Sequence, residues 1–226
     1  MNLLKGILLS GLTLSLMGST LGLPDVALAQ RGRNPGRGRD IPSFAPGFDS
    51  RTAERSLRDI HKATEEAFRV ERLAAQVNNT LASELTSEGY TTLEAARTAQ
   101  AAGNFFQARE LAKAAKALFE AAETLYEGEL GYKVGRYGQP EAPSRSYFDA
   151  PFRVQERLFR AQAELNFSGD RVNPLAKQLV EQAQGLVSLN PAEVSFNTDF
   201  RVLAEHRAAY EMAKAATHLL AAERGF

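Results

Sequence analysis

Apolar side chains recur at intervals of three and four residues along most of this chain, a spacing that argues for helices and against sheets. Ala53, Leu57, Ile60, Thr64, Ala67, Val70, Ala74, Val77, Leu81 and Leu85 line one stripe, predicting a long helix from about Ser50 to Ser87 that Glu88-Gly89 ends. Thr91 and Glu94 form a capping-box pattern, so a short second helix is expected from near Thr92 to the Gly103-Asn104 break. A third helix is read from Phe105 to about Tyr126, with Ala108, Leu111, Ala112, Ala115, Leu118, Phe119, Ala122 and Leu125 on one side. Asp149 and Pro151 open a fourth, which Ser168-Gly169-Asp170 stops. Asn173-Pro174, a cap followed by a first-turn proline, opens a fifth that Asn190-Pro191 ends. The sixth runs from about Thr198 to Glu223 and closes at Gly225. Alternation never persists long enough for a convincing strand. The fold class is therefore all-α, a multi-helix bundle of about six helices.

The bundle has two readings. A shift of 94 residues pairs Leu81-Ala82 with Leu175-Ala176, Leu85 with Leu179, Ala114-Ala115 with Ala208-Ala209, Ala121-Ala122 with Ala215-Ala216 and Gly131 with Gly225. Two related three-helix halves, about 49–127 and 149–226, would produce these matches; so would chance among alanine-rich helices. Alanine at so many inward positions lets helix axes approach closely, which suits a rigid scaffold better than a deep pocket.

The first thirty residues read as an address. One lysine precedes the apolar run Ile7 to Met17, and Ala27-Leu28-Ala29 fits a signal-peptidase site, with cleavage expected after Ala29. The run is short for a membrane span. Export is expected, to a bacterial periplasm, the medium or an equivalent luminal compartment. Residues 30–48 form a leader expected to be disordered, in which Arg31, Arg33, Arg37 and Arg39 alternate with glycine and proline. They offer weak contact with an anionic membrane surface or wall polymer. The bundle domain then spans 49–226.

Composition narrows the chemistry. The 226 residues contain no cysteine, which excludes disulfides, thiolate metal sites and cysteine nucleophiles. Lys plus Arg and Asp plus Glu number 27 each, and zero net charge argues against a dedicated nucleic-acid binder. There is no Gly-x-Ser-x-Gly, no Ser-x-x-Lys, no dinucleotide or Walker glycine pattern and no Glu-x-x-His. No catalytic constellation or metal site is expected, and no cofactor is assigned. Gly103-x-Phe105-x-x-Ala108 resembles the turn of a tetratricopeptide repeat, over that one turn, and the resemblance implies a helical groove able to receive a peptide.

Two places could carry recognition. The connector 128–148, between the two halves, spaces four glycines among Tyr132, Lys133, Arg136, Tyr137, Arg145, Tyr147 and Phe148. Tyrosine with arginine is the usual chemistry of a binding hot spot. The plainer reading is a joint whose aromatics pin it to the bundle. Elsewhere, His206 and Tyr210 lie on the last helix's stripe, and His206 could pair with His61 across the bundle to hold a haem-like tetrapyrrole. The plainer reading of His206 is a core-edge residue bonded to a neighbour. The expected function is a non-enzymatic, exported binding or scaffold module for a protein or other envelope component. A small-molecule or tetrapyrrole binder is the alternative.

Overall fold

A computed structural model describes residues 50–135, 137–169, 173–195 and 197–225. The signal-peptide and leader readings, including Arg31, Arg33, Arg37 and Arg39, lie outside the described residues. Among these residues the chain forms an all-α bundle of six helices: α1 (Ser50–Ala74), α2 (Thr80–Ala101), α3 (Phe105–Leu130), α4 (Arg145–Ser168), α5 (Pro174–Leu186) and α6 (Phe200–Arg224). No described helix is long and apolar enough to cross a membrane.

The long first helix is broken. The stripe continues through Val77 and Leu81, but Asn79 leaves the helical conformation and its side chain accepts a hydrogen bond from the Ala82 amide at 2.9 Å, starting α2. Apolar spacing alone did not reveal the break. Gly89 does not end a helix but sits inside α2, where its missing side chain makes room for the Phe119 ring; a Cβ there would lie 2.6 Å from it. Thr91 caps nothing: its hydroxyl bonds back to the Ser87 carbonyl within α2. Helix α4 begins four residues before Asp149, so Pro151 lies inside it. Asn173 caps α5 by accepting from the Ala176 amide, as its sequence predicts. Asn190-Pro191 caps a single 3-10 turn after α5 has already ended. Asp199, one residue beyond Thr198, caps α6.

The 94-residue shift reappears as repeated geometry. Asn79 caps α2 and donates from its amide nitrogen to Glu129 at the end of α3 (3.0 Å); Asn173 caps α5 and donates likewise to Glu223 at the end of α6 (2.9 Å). Gly131 and Gly225 end those helices in the left-handed conformation, at φ 78° and 64°. Each half is thus three helices in the same order, with α5 shorter than its counterpart α2. The halves join through α3 and α6, which share the most extensive interface among the described elements. Glu110 meets His218, Glu120 meets Lys214 and Glu129 meets Arg201, so the two helices run antiparallel. Ala114, Ala117, Ala121, Ala208 and Ala215 are fully buried, and Gly128 admits Ala204 so closely that a Cβ would lie 3.1 Å from it.

Candidate binding surface

The connector is not structureless. Gly131 turns the chain out of α3, and Lys133–Val134 (β1) pairs antiparallel with Pro140–Glu141 (β2), in register Lys133 to Glu141 and Val134 to Pro140. Two-residue strands carry too little alternation to be read from sequence. The tip closes through Gly135 N–H to the Gln139 carbonyl (2.8 Å) and Gly138 N–H to the Gly135 carbonyl (2.9 Å), with Gly138 at φ 87°.

One carboxylate secures both ends of this connector. Glu127, buried on α3, accepts the Val134 amide at 2.7 Å on one oxygen and the Tyr147 hydroxyl on the other. It therefore ties the hairpin and the first turn of α4 to the same point of the core. Burial pushes its carboxyl up from the ordinary range, against the pull of the Tyr147 and Val134 hydrogen bonds. The Tyr147 phenol is pushed up by burial and by Glu127. Lys133 and Glu141 pair across the base of the hairpin at 2.5 Å.

The residues expected to bind fall into different environments. Tyr137, at the hairpin tip, is 85% exposed, and Tyr132 is half-buried. Arg145 is exposed and sits 3.6 Å from Asp149. Arg136 lies outside the described residues. Tyr147 is not a surface residue: it is buried, with Phe200 packed at 5.1 Å and the Arg207 guanidinium 4.9 Å over its ring. Tyr147 is thus a pin of the joint, while Tyr137 remains free for contact.

The histidine pair does not form. His61 is exposed on α1 beside Glu65 (3.3 Å), whereas His206 is fully buried on α6. His206 Nε2 accepts the Leu189 amide at 3.1 Å, and Nδ1 faces the Val202 carbonyl at 2.9 Å, so both ring nitrogens are occupied. It fastens the segment after α5 to α6 and has no nitrogen left for a ligand. Tyr210 is half-buried with the Arg157 guanidinium 5.7 Å over its ring. His218, also on α6, bonds Glu110 of α3 at 2.8 Å. Despite its burial, Glu110 is held at about 2 by His218, Lys113 and Arg109.

A layer of charge inside the bundle escaped the sequence reading. Arg69 of α1 reaches Glu66 (2.9 Å) and Glu123 of α3 (2.7 Å). Lys214 of α6 lies 3.1 Å from Glu120 and 2.7 Å from Glu211, and Lys116 also pairs with Glu120. Burial raises Glu123 to about 7 against the attraction of Arg69, with Glu127, Glu66 and Glu120 adding to the rise. Glu211 is raised by burial and by Glu120; Glu120 is lowered by its two lysines despite its burial. A cavity of about 40 Å³, room for a water molecule, lies between Arg69, Glu123 and hairpin residues Val134, Gly135 and Gly138. Alanine covers much of the circumference of α3 but leaves one arc to Arg109, Lys113, Lys116, Glu120, Glu123 and Glu127, and from sequence alone such an arc reads as an ordinary solvated face. Among the described residues no three His, Asp or Glu side chains are placed to hold a metal ion.

Comparison with protein-family models, with characterised proteins and with solved structures finds no match.

Proposed function

We propose that this chain is an exported, non-catalytic helical bundle that binds a protein or other component of the cell envelope, with the β1–β2 hairpin as its recognition element. The supporting observation is the exposure of Tyr137 on a hairpin whose base is bonded to buried Glu127. A tyrosine held on an anchored loop loses little freedom on binding and offers both apolar area and a hydroxyl. The alanine-packed helices beneath it serve as a stiff platform. Export rests on the sequence of the first 29 residues.

The test is photocross-linking in the native host with benzoylphenylalanine at position 137, compared with position 98 on the exposed side of α2. A discrete adduct from 137 and none from 98 is the expected result. Equal, diffuse labelling from both positions contradicts the reading.

A further inference from the structure

The outward face of α4 carries an uncommon combination of side chains. Phe152, Phe159 and Phe167 are 58%, 76% and 96% exposed. Phe152 and Phe159 stand seven residues apart and so share one line along the helix, with Phe167 rotated about 60–80° from it. Beside them lie Arg153, Arg157 and Arg160, which with Glu156 and Tyr210 line an open depression of about 220 Å³. Arg160 is paired with Glu156 at 2.5 Å. Arg153 and Arg157 have no carboxylate within ion-pair distance among the described residues, and the Arg157 Nε is buried without a hydrogen-bond partner. A guanidinium without a carboxylate partner offers its remaining nitrogens to an oxyanion.

The fold does not require these phenylalanines. In the first half, helix α1 occupies the place of α4 at the same 94-residue shift, with Ala67 and Ala161 buried in corresponding positions. The counterparts of Phe152 and Phe159 there are Arg58 and Glu65, both exposed. The counterpart of Arg153 is Asp59, and that of Arg160 is Glu66. At these positions one half thus carries charged side chains of both signs and the other carries aromatic and cationic ones; the apolar side chains that α1 exposes, Leu57 and Phe68, stand at other positions of the helix.

We propose that the outer face of α4 docks on an anionic phospholipid surface, with a headgroup phosphate received by Arg153 and Arg157 and with Phe152 and Phe159 entering the interfacial layer. Aromatic side chains flanked by arginine are the composition of helices that lie in the plane of a charged bilayer. Charge complementarity selects this occupant: two uncompensated guanidinia would oppose a second copy of the same face. The inference stands on α4 and is independent of the hairpin's role.

The absence of tryptophan makes the test clean. Full-length protein carrying Phe159→Trp is titrated with vesicles of phosphatidylglycerol and phosphatidylcholine, and with vesicles of phosphatidylcholine alone. Expected are a blue shift and quenching by brominated acyl chains with the anionic vesicles only. Separately, Phe152→Ser with Phe159→Ser should lower vesicle affinity about tenfold or more at unchanged helicity, from the lost burial of two aromatic side chains. Arg153→Gln with Arg157→Gln should weaken binding and reduce its salt dependence. Replacing Arg31, Arg33, Arg37 and Arg39 by Gln separates the leader's contribution. The proposal is overturned if binding survives the Phe152/Phe159 change, if it vanishes only with the leader arginines, or if inorganic phosphate binds Arg153 and Arg157 while vesicles do not.

Discussion

Glu120 and Lys214 occupy the same position in the two halves, 94 residues apart, and meet face to face, with Lys214 Nζ 3.1 Å from Glu120 Oε2. Contact between equivalent positions of antiparallel helices is what a two-fold axis between α3 and α6 requires. The two halves share a plan, yet at the axis one supplies the acid and the other the base. Two glutamates there would repel in a partly desolvated seam, so the difference between the halves is what lets the seam close.

Lys214→Met tests the seam. It leaves Glu120 and Glu211 without their shared cation. Because both ends of the Glu120–Lys214 pair keep some exposure, the expected cost is about 2 kcal/mol, below the range for fully buried pairs. Urea unfolding measures it, and adding Glu120→Met should restore part of the loss.

Glu123 makes stability depend on pH. Its folded-state pKa of about 7 lies above the ordinary 4.5, so between those values the folded protein holds a proton that the unfolded chain releases. The stability this group contributes is present at low pH and is lost as pH rises through about 7. Glu127 and Glu211 act in the same direction and Glu110 and Glu120 in the opposite one, so the difference between wild type and Glu123→Gln is the quantity to follow. The variant should gain on the order of 2 kcal/mol relative to wild type between about pH 5 and pH 8. Thermal unfolding across that range checks it.

Two glycines should respond oppositely to alanine. At Gly89 the new methyl meets the Phe119 ring, whose edge also packs on Tyr90 at 5.2 Å, and the loss should be about 1–3 kcal/mol. At Gly185, within α5, a Cβ would meet nothing within 4 Å, and the gain should be up to about 1 kcal/mol. Denaturant midpoints of the two variants settle the contrast.

Tyr147→Phe removes the hydroxyl that Glu127 accepts. One carboxylate oxygen is left buried with no phenol, at an expected cost of about 1–3 kcal/mol. The effect should reach the hairpin, because the other Glu127 oxygen holds Val134. Faster amide exchange at Val134, with little change in the α3 core, is the signature of this coupling.

The helical class, the position of α3, the start of α5 and the end of α6 were legible because spacing, caps and glycines agreed there. The break at Asn79 was not, since the apolar stripe of α1 carries straight into α2 and only the side-chain cap marks the turn. Gly89 misled for a related reason: a glycine that ends a helix and one that admits a ring look alike until the ring is placed. Tyr137 and Tyr147 are chemically identical and ten residues apart, yet only the partner on α3 decides that one is exposed and the other buried. His206 is similar: its stripe position was right, but its bonds to Leu189 and Val202 depend on how the segment after α5 returns.

A firmly held hairpin is what makes residues 133–141 a contact surface. Hydrogen exchange of the full-length protein, with and without envelope extract from its host, tests this most directly. The expected result is measurable protection of Val134 and Gly135 in the free protein and further protection across 133–141 on addition of the extract, with α3 and α6 unchanged. Hairpin amides that exchange at random-coil rates in both states, with new protection around His206 and an accompanying visible absorption band, would contradict it.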